Sequence, residues 1–219
     1  MARVKIKKLS KGILIVLLGP DGSGKTTVIN EIVGPLAEKF VGRNIRIIHH
    51  RPAWLPRISE LLGKKCSTTP DDIDFTPHKA APSGFIGSLL RLIYYTVDYT
   101  IGYFIKIYFK LRKGEIIIFD RYYYDFIVDP KRSRINLPEP VIYFFLKIVP
   151  APDYIFFLDN LPDIIFSRKQ ELSLEEIKRQ LYKYRQLSLL LKNYTIIPPG
   201  EGINEILKRI LSIINPHPD

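Results

Sequence analysis

The stretch LLGPDGSGKTTVINEI, residues 17–32, constrains the fold of this chain more than any other part of it. An apolar run, Ile13–Leu18, reads as a buried strand that ends at Gly19, and a helix-like segment begins near Lys25. Gly19, Gly24, Lys25 and Thr26 fit the pattern G-x-x-x-x-G-K-[ST], in the strand-to-helix setting that raises it above chance. Gly19, Gly22 and Gly24 allow close backbone approach, so successive amide hydrogens can face phosphate oxygens; Asp21, Ser23 and Thr27 complete the stretch. The helix adds the positive end of its dipole. In such a loop Lys25 bridges the β- and γ-phosphates and the Thr26 hydroxyl ligates Mg²⁺, so a nucleoside triphosphate with Mg²⁺ is expected. A turn that merely joined strand to helix would not need the Lys-Thr pair.

The rest of the chain repeats the strand-then-helix pattern. Short β-branched or aromatic runs occur at Ile13–Leu18, Ile45–His49, Glu115–Phe119, Tyr154–Leu158 and Tyr194–Ile197. Helix-like stretches fall at roughly 25–40, 85–112, 139–148, 162–191 and 202–214. The expectation is one α/β domain over residues 1–219: a three-layer α/β/α P-loop NTPase fold with a mostly parallel five-stranded sheet, preceded by a basic extension at residues 1–12. Residues 51–84, rich in Pro, Asp, Ser and Thr, are the least regular part, and such a stretch inside a compact domain is often functional.

Composition narrows the setting. The net charge of +11 is dispersed over helical stretches, which fits a solvated surface that steers anionic substrates better than a nucleic-acid interface. A lone cysteine, Cys66, excludes an internal disulfide framework and suits a reducing cytoplasm. The N-terminal MARVKIKKLSKGILIVLLG has the outline of a signal peptide, but cleavage near Gly19 would destroy the phosphate loop. Residues 85–111 are strongly apolar, yet Arg91, Asp98 and Lys106 interrupt them too often for a membrane span. A core helix or a dimer face is expected there, without membrane contact.

A second motif gives the loop a reaction to serve. In EIIIFDRYYYD, residues 115–125, a buried strand delivers Asp120 and Arg121 to its carboxyl end, where ligands of open α/β sheets bind. Asp120 can hold Mg²⁺ through water and Arg121 can clamp a second anionic group, an arrangement suited to a kinase. No Asn-Lys-x-Asp guanine-reading motif is present, which argues against a regulatory GTPase.

GPDGSGKTT, then DRY at the end of a strand, PDYIFFLD at 152–159 and SRKQE at 167–171 together resemble the thymidylate kinase-like branch of P-loop nucleoside monophosphate kinases, in motif order from about Ile13 to Ile214. The resemblance implies ATP as donor, with Lys25 and Thr26 on ATP and Mg²⁺ and Asp21 facing the acceptor sugar. It implies Asp120 near the metal, Arg121 on the acceptor phosphate, and Arg168 and Lys169 at the start of a helical lid over about 162–185. With no arginine in the loop, Arg168, helped by Lys169, is the candidate for charge on the transferring phosphoryl group. By family position Pro198, Pro199 and Gly200 wall the adenine. The implied acceptor is a nucleoside monophosphate, dTMP first, and the implied assembly is a homodimer packed through apolar helices.

The chain departs from that family on the acceptor side. Where thymidylate kinases carry Arg-Glu-Pro-Gly, it has HHRPAW, residues 49–54, which keeps Arg51 and Pro52 but no glutamate. After Asp-Arg-Tyr, the usual serine-containing stretch is replaced by one that includes Tyr124, Asp125 and Asp129. Arg51, Tyr95, Tyr122 and Asp125 are the acceptor-binding candidates. His49 and His50 have no further ligand at zinc spacing, so one of them lines the pocket or caps the strand. A kinase of a deoxynucleoside or of a phosphorylated sugar or lipid precursor would share the donor side. A non-kinase ATPase would show no acceptor dependence.

Overall fold

A computed structural model describes residues 11–56, 58 and 83–215, and every structural statement below concerns these residues. Cys66, residues 1–10 of the basic extension and most of the irregular 51–84 segment lie outside them.

Five strands, β1 (Ile13–Leu18), β2 (Ile45–His49), β3 (Ile116–Asp120), β4 (Tyr154–Leu158) and β5 (Tyr194–Ile197), pair in parallel in the order β2-β3-β1-β4-β5. The central strands are apolar at consecutive positions because both sheet faces are covered. Alternate side chains divide between two cores: Leu14, Val16, Ile117 and Phe119 on one face, Ile13, Ile15, Ile116 and Ile118 on the other. Helices α1 (Lys25–Lys39) and α8 (Ile203–Ile213) cover the second face through Ile29, Ile32 and Ile210. The first is covered by α2 (Phe85–Gly102), α4 (Asp125–Val128), α5 (Glu139–Leu146) and α7 (Leu174–Leu187).

The chain departs from β1 toward β2 on one side, and from β4 toward β5 on the other. The carboxyl ends of β1 and β4 therefore flank the point where connections diverge, the place where parallel sheets open a crevice. Residues 19–24 and 159–161 are the loops that emerge there.

Several boundaries differ from the sequence reading. Strand β3 runs one residue later than expected and so carries Asp120 itself. Instead of a helix over 162–191 there are two, α6 (Pro162–Arg168) and α7. Lys169 turns extended, and Ser173 caps the second helix by accepting from the Glu176 amide at 3.2 Å. The 85–112 stretch is continuous but not uniformly α: a π-helical turn, Tyr103–Tyr108, joins α2 to α3 (Phe109–Arg112). Buried Tyr99, Ile107 and Leu111 lie on this stretch. A spacing of four turns an α-helical face by about 40° per step, and the wider π turn takes up that drift. The opposite edge leaves Ile86, Leu90, Phe104 and Phe109 exposed on the isolated chain. No helix among the described residues is long and apolar enough to cross a membrane.

One buried carboxylate fastens the stretch after β2 to α2. Asp98 has no exposed surface; its Oδ1 accepts from the Trp54 and Leu55 amides at 2.8 Å, and its Oδ2 accepts from Arg51 at 2.9 Å. Gly102 permits the approach, since a Cβ there would stand 3.0 Å from Trp54 Cβ and 3.1 Å from Pro52 Cβ. Asp98→Ala would strand the Arg51 charge and two amides. We expect a loss of about 3 kcal/mol and a melting temperature lower by roughly 6–12 °C, read by thermal denaturation; an unshifted transition would contradict this anchoring.

Candidate functional site

A cleft of about 540 Å³ opens at the carboxyl ends of β1 and β4. Its floor is the 21–27 loop and helix start, one wall is Asp120 with Arg121, and the rim opposite is Arg168 with Lys169. Ile197, Pro198, Pro199, Ile203 and Ile206 form an apolar side. Asp21, Gly22, Ser23, Gly24, Lys25, Thr26, Thr27, Asp120, Arg121, Arg168, Lys169 and Pro199, all singled out from sequence, thus share one cavity.

The loop's shape depends on residues that only glycine can supply. Gly19 has φ 146°, and a Cβ on it would stand 2.7 Å from Ser23 Oγ; Gly22 has φ 88° and would press on the Ile165 carbonyl at 3.0 Å. Because α6 packs this closely, Arg168 reaches over the loop: its Nη1 is 3.8 Å from where a Cβ on Gly24 would be. Arg168 has no carboxylate partner among the described residues, whereas Lys169 pairs with Glu171 at 3.2 Å. The Ser23 hydroxyl is buried without a hydrogen-bond partner.

Lys25 is 5% exposed, and its ammonium donates to the Gly19 and Pro20 carbonyls at 2.7 and 2.8 Å. Burial, then the nearby Arg121 guanidinium, pushes it down from 10.5 to about 8, against the pull of Asp21, Asp120 and Asp125. An anion entering the loop would reverse that balance.

At the end of β3, Arg121 adopts φ 74° and is 8% exposed. It donates to Asp125 Oδ2 at 2.7 Å and to Asp21 Oδ1 at 2.5 Å. Burial opposes its charge, but Asp125 and Asp21 more than compensate and hold it well above the ordinary arginine range. Burial likewise works against ionised Asp21, and Arg121, Arg132 and Lys25 outweigh it to keep the carboxyl far below the usual range. Asp120 is different: Oδ1 is buried with no partner among the described residues, and Oδ2 lies 3.4 Å from His49 Nδ1. An orphaned carboxylate oxygen beside the exposed Thr26 end of the loop suits a hard cation that takes its remaining ligands from phosphate and water. Among the described residues no cluster of three His, Cys, Asp or Glu could hold a metal by itself.

The acceptor-side candidates fare less uniformly. Tyr122 is corrected from a ligand contact to a core residue, 1% exposed, its hydroxyl donating to the Pro150 carbonyl at 2.7 Å. Arg51 is committed to Asp98 and to the Leu55 and Pro56 carbonyls. Asp125 is buried between Arg121 and the Tyr184 hydroxyl, 2.9 Å away. Tyr95 is half-buried and stacks on Phe126 with centroids 5.0 Å apart. His50, at φ 65°, is edge-on to the same ring, and burial lowers its pKa to about 4.

Sequence reasoning gave no weight to Arg132, which donates to Asp21 Oδ2 at 2.5 Å from a 3₁₀ turn, Pro130–Ser133. Nor did it single out Arg185, whose guanidinium holds Asp159 at the cleft edge through two bonds of 2.7 and 2.9 Å. The one legible signal was Asp129-Pro130, the cap and first residue of that turn.

No protein-family model matches this chain, and no curated protein matches it at a significant level.

The Lys25 environment predicts a pH dependence. Above about pH 8 the empty loop loses the Lys25 proton, so anion binding must take one up, and affinity should fall by up to tenfold per pH unit. Calorimetric titration with sulfate, whose charge is constant from pH 7 to 10, would read this; Lys25→Met should bind weakly with a flat profile. An equally flat wild-type profile would refute the assignment of the loop's charge to Lys25.

Proposed function

We propose that this protein is an ATP- and Mg²⁺-dependent phosphotransferase of the P-loop kinase fold, moving the γ-phosphoryl group to a small phosphorylated acceptor, a nucleoside monophosphate with dTMP the first to test. The observation that carries the reading is the meeting, in one cleft, of the phosphate loop, the strand-end Asp120-Arg121 pair and the Arg168-Lys169 rim. Such a transition state has little covalent chemistry for a protein to perform, so positioned cations and exclusion of water are the main contributions.

On this reading the amides of 22–26 and the Lys25 ammonium hold the donor phosphates, and the apolar wall of Ile197, Pro198 and Pro199 receives the base. Thr26 and Asp120 are the residues that would hold Mg²⁺, whose role is to neutralise charge on the donor phosphates. Arg168, with no carboxylate partner among the described residues and poised above Gly24, stabilises the charge spread over the equatorial oxygens, while α6 shields the loop from water. Arg121, clamped by Asp125, presents a fixed cation to the acceptor. The homodimer and the cytoplasmic setting remain part of the proposal; the exposed apolar edge of the α2–α3 stretch is the surface that would pair.

ADP release from Mg·ATP, measured with nucleoside monophosphates, nucleosides and phosphorylated sugars against water alone, tests the reading. Stimulation by dTMP above the others is expected. Lys25→Ala should abolish turnover with the fold intact, and Arg168→Ala should lower kcat by about a hundredfold or more with a small change in acceptor KM. Hydrolysis indifferent to every acceptor would refute the kinase assignment.

A further inference from the structure

Asp21 leaves the phosphate loop to join two cations from different parts of the chain. Its Oδ1 accepts from Arg121 and its Oδ2 from Arg132, each at 2.5 Å. One carboxylate bridging two guanidinium groups stands where a dianionic phosphate stands when two arginines bind it.

The two arginines are not equivalent. Arg121 is buried, and Asp125 grips it whatever Asp21 does. The Arg132 side chain is 28% exposed and sits on a short turn whose cap is Asp129; its ion-pair partner among the described residues is Asp21. Releasing Asp21 would leave Arg121 in place and set Arg132 free to take another anion.

Two further features mark the cluster as more than a structural ion pair. His50 Nδ1 is buried and has no hydrogen-bond partner among the described residues, and the ring feels Asp125, Arg121, Arg132 and Arg51 together. Both His50 and Arg121 hold left-handed backbone angles, a strain that tends to gather where ligands bind.

We propose that Arg132 and Arg121 form a two-arginine site for the dianionic phosphate of a phosphomonoester, and that Asp21 is the internal anion this phosphate displaces. The identification of that phosphomonoester with the acceptor rests on the phosphotransferase reading; the anion site itself does not. The phosphate brings two negative charges to a pair that Asp21 serves with one. Acceptor binding would thus rearrange Asp21 beside the donor loop before transfer.

The test is calorimetric titration of inorganic phosphate and of methyl phosphate into Lys25→Met protein, in which anion binding at the loop after β1 is weakened and no turnover is needed. On that background Asp21→Asn should tighten both ligands by at least about tenfold, because the competing anion is gone. Arg132→Gln should weaken both by a similar factor, and the Asp21→Asn/Arg132→Gln pair should fall back to the Arg132→Gln value. An Asp21→Asn variant that binds no more tightly, or an Arg132→Gln variant with unchanged affinity, overturns the site. Binding of inorganic phosphate without methyl phosphate overturns the phosphomonoester class. Should Asp21→Asn fail to fold, Arg132→Gln and Arg132→Lys decide alone: undiminished affinity in Arg132→Gln overturns the proposal. Acceptor-independent ADP release alongside the expected phosphate shifts would remove the kinase reading and leave the anion site standing; the converse result would remove only the anion site.

Discussion

A guanidinium buried at the end of β3 must be neutralised where it stands, and much of the site's arrangement follows from how this is done. Arg121 receives Asp125 from α4 on one side and Asp21 from the glycine-rich turn on the other, and Tyr184 from α7 completes Asp125. One cation therefore ties together the sheet, the loop after β1 and two helices of one face. Taking a partner from such a buried pair costs about 3–5 kcal/mol, because the remaining charge has neither water nor counter-ion. The same cation reaches Lys25, where after burial it is the next cause of that lysine's lowered proton affinity.

The parallel sheet explains why these groups meet. Parallel strands deliver all their carboxyl ends to one edge, and where the connections from β1 and β4 diverge the covering helices separate. The loop after β1, the end of β3 and the start of α6 converge on that gap. Close packing of α6 on the loop, through Ile165 against Gly22, sets Arg168 over Gly24 and leaves no space for a side chain at Gly22. Asp98 anchors the stretch after β2 to α2 and withdraws Arg51 into structural bonds.

Much of this was legible in the residues. The run ILIVLL before a glycine loop, and IIIFD before Arg-Tyr, announce buried parallel strands because both faces are apolar, and the bounds of β1, β2, β4 and β5 match the sequence reading. The break between α6 and α7 was also written, in Ser173 three residues before Glu176, though a continuous apolar periodicity conceals it. Tyr122 misleads because an aromatic residue beside a strand-end arginine reads the same in sequence whether it points to a ligand or to the core.

By itself the sequence determined the α/β alternation and the glycine-rich turn that carries Lys25 into α1, since local spacing and backbone freedom specify these. Tertiary structure alone decided which carboxylate neutralises which arginine. Arg132 meets Asp21 across a sequence separation of 111 residues, and Arg51 meets Asp98 across 47. Such pairings depend on how the connections cross the sheet and on which charges burial forces to find partners, and no local pattern records either.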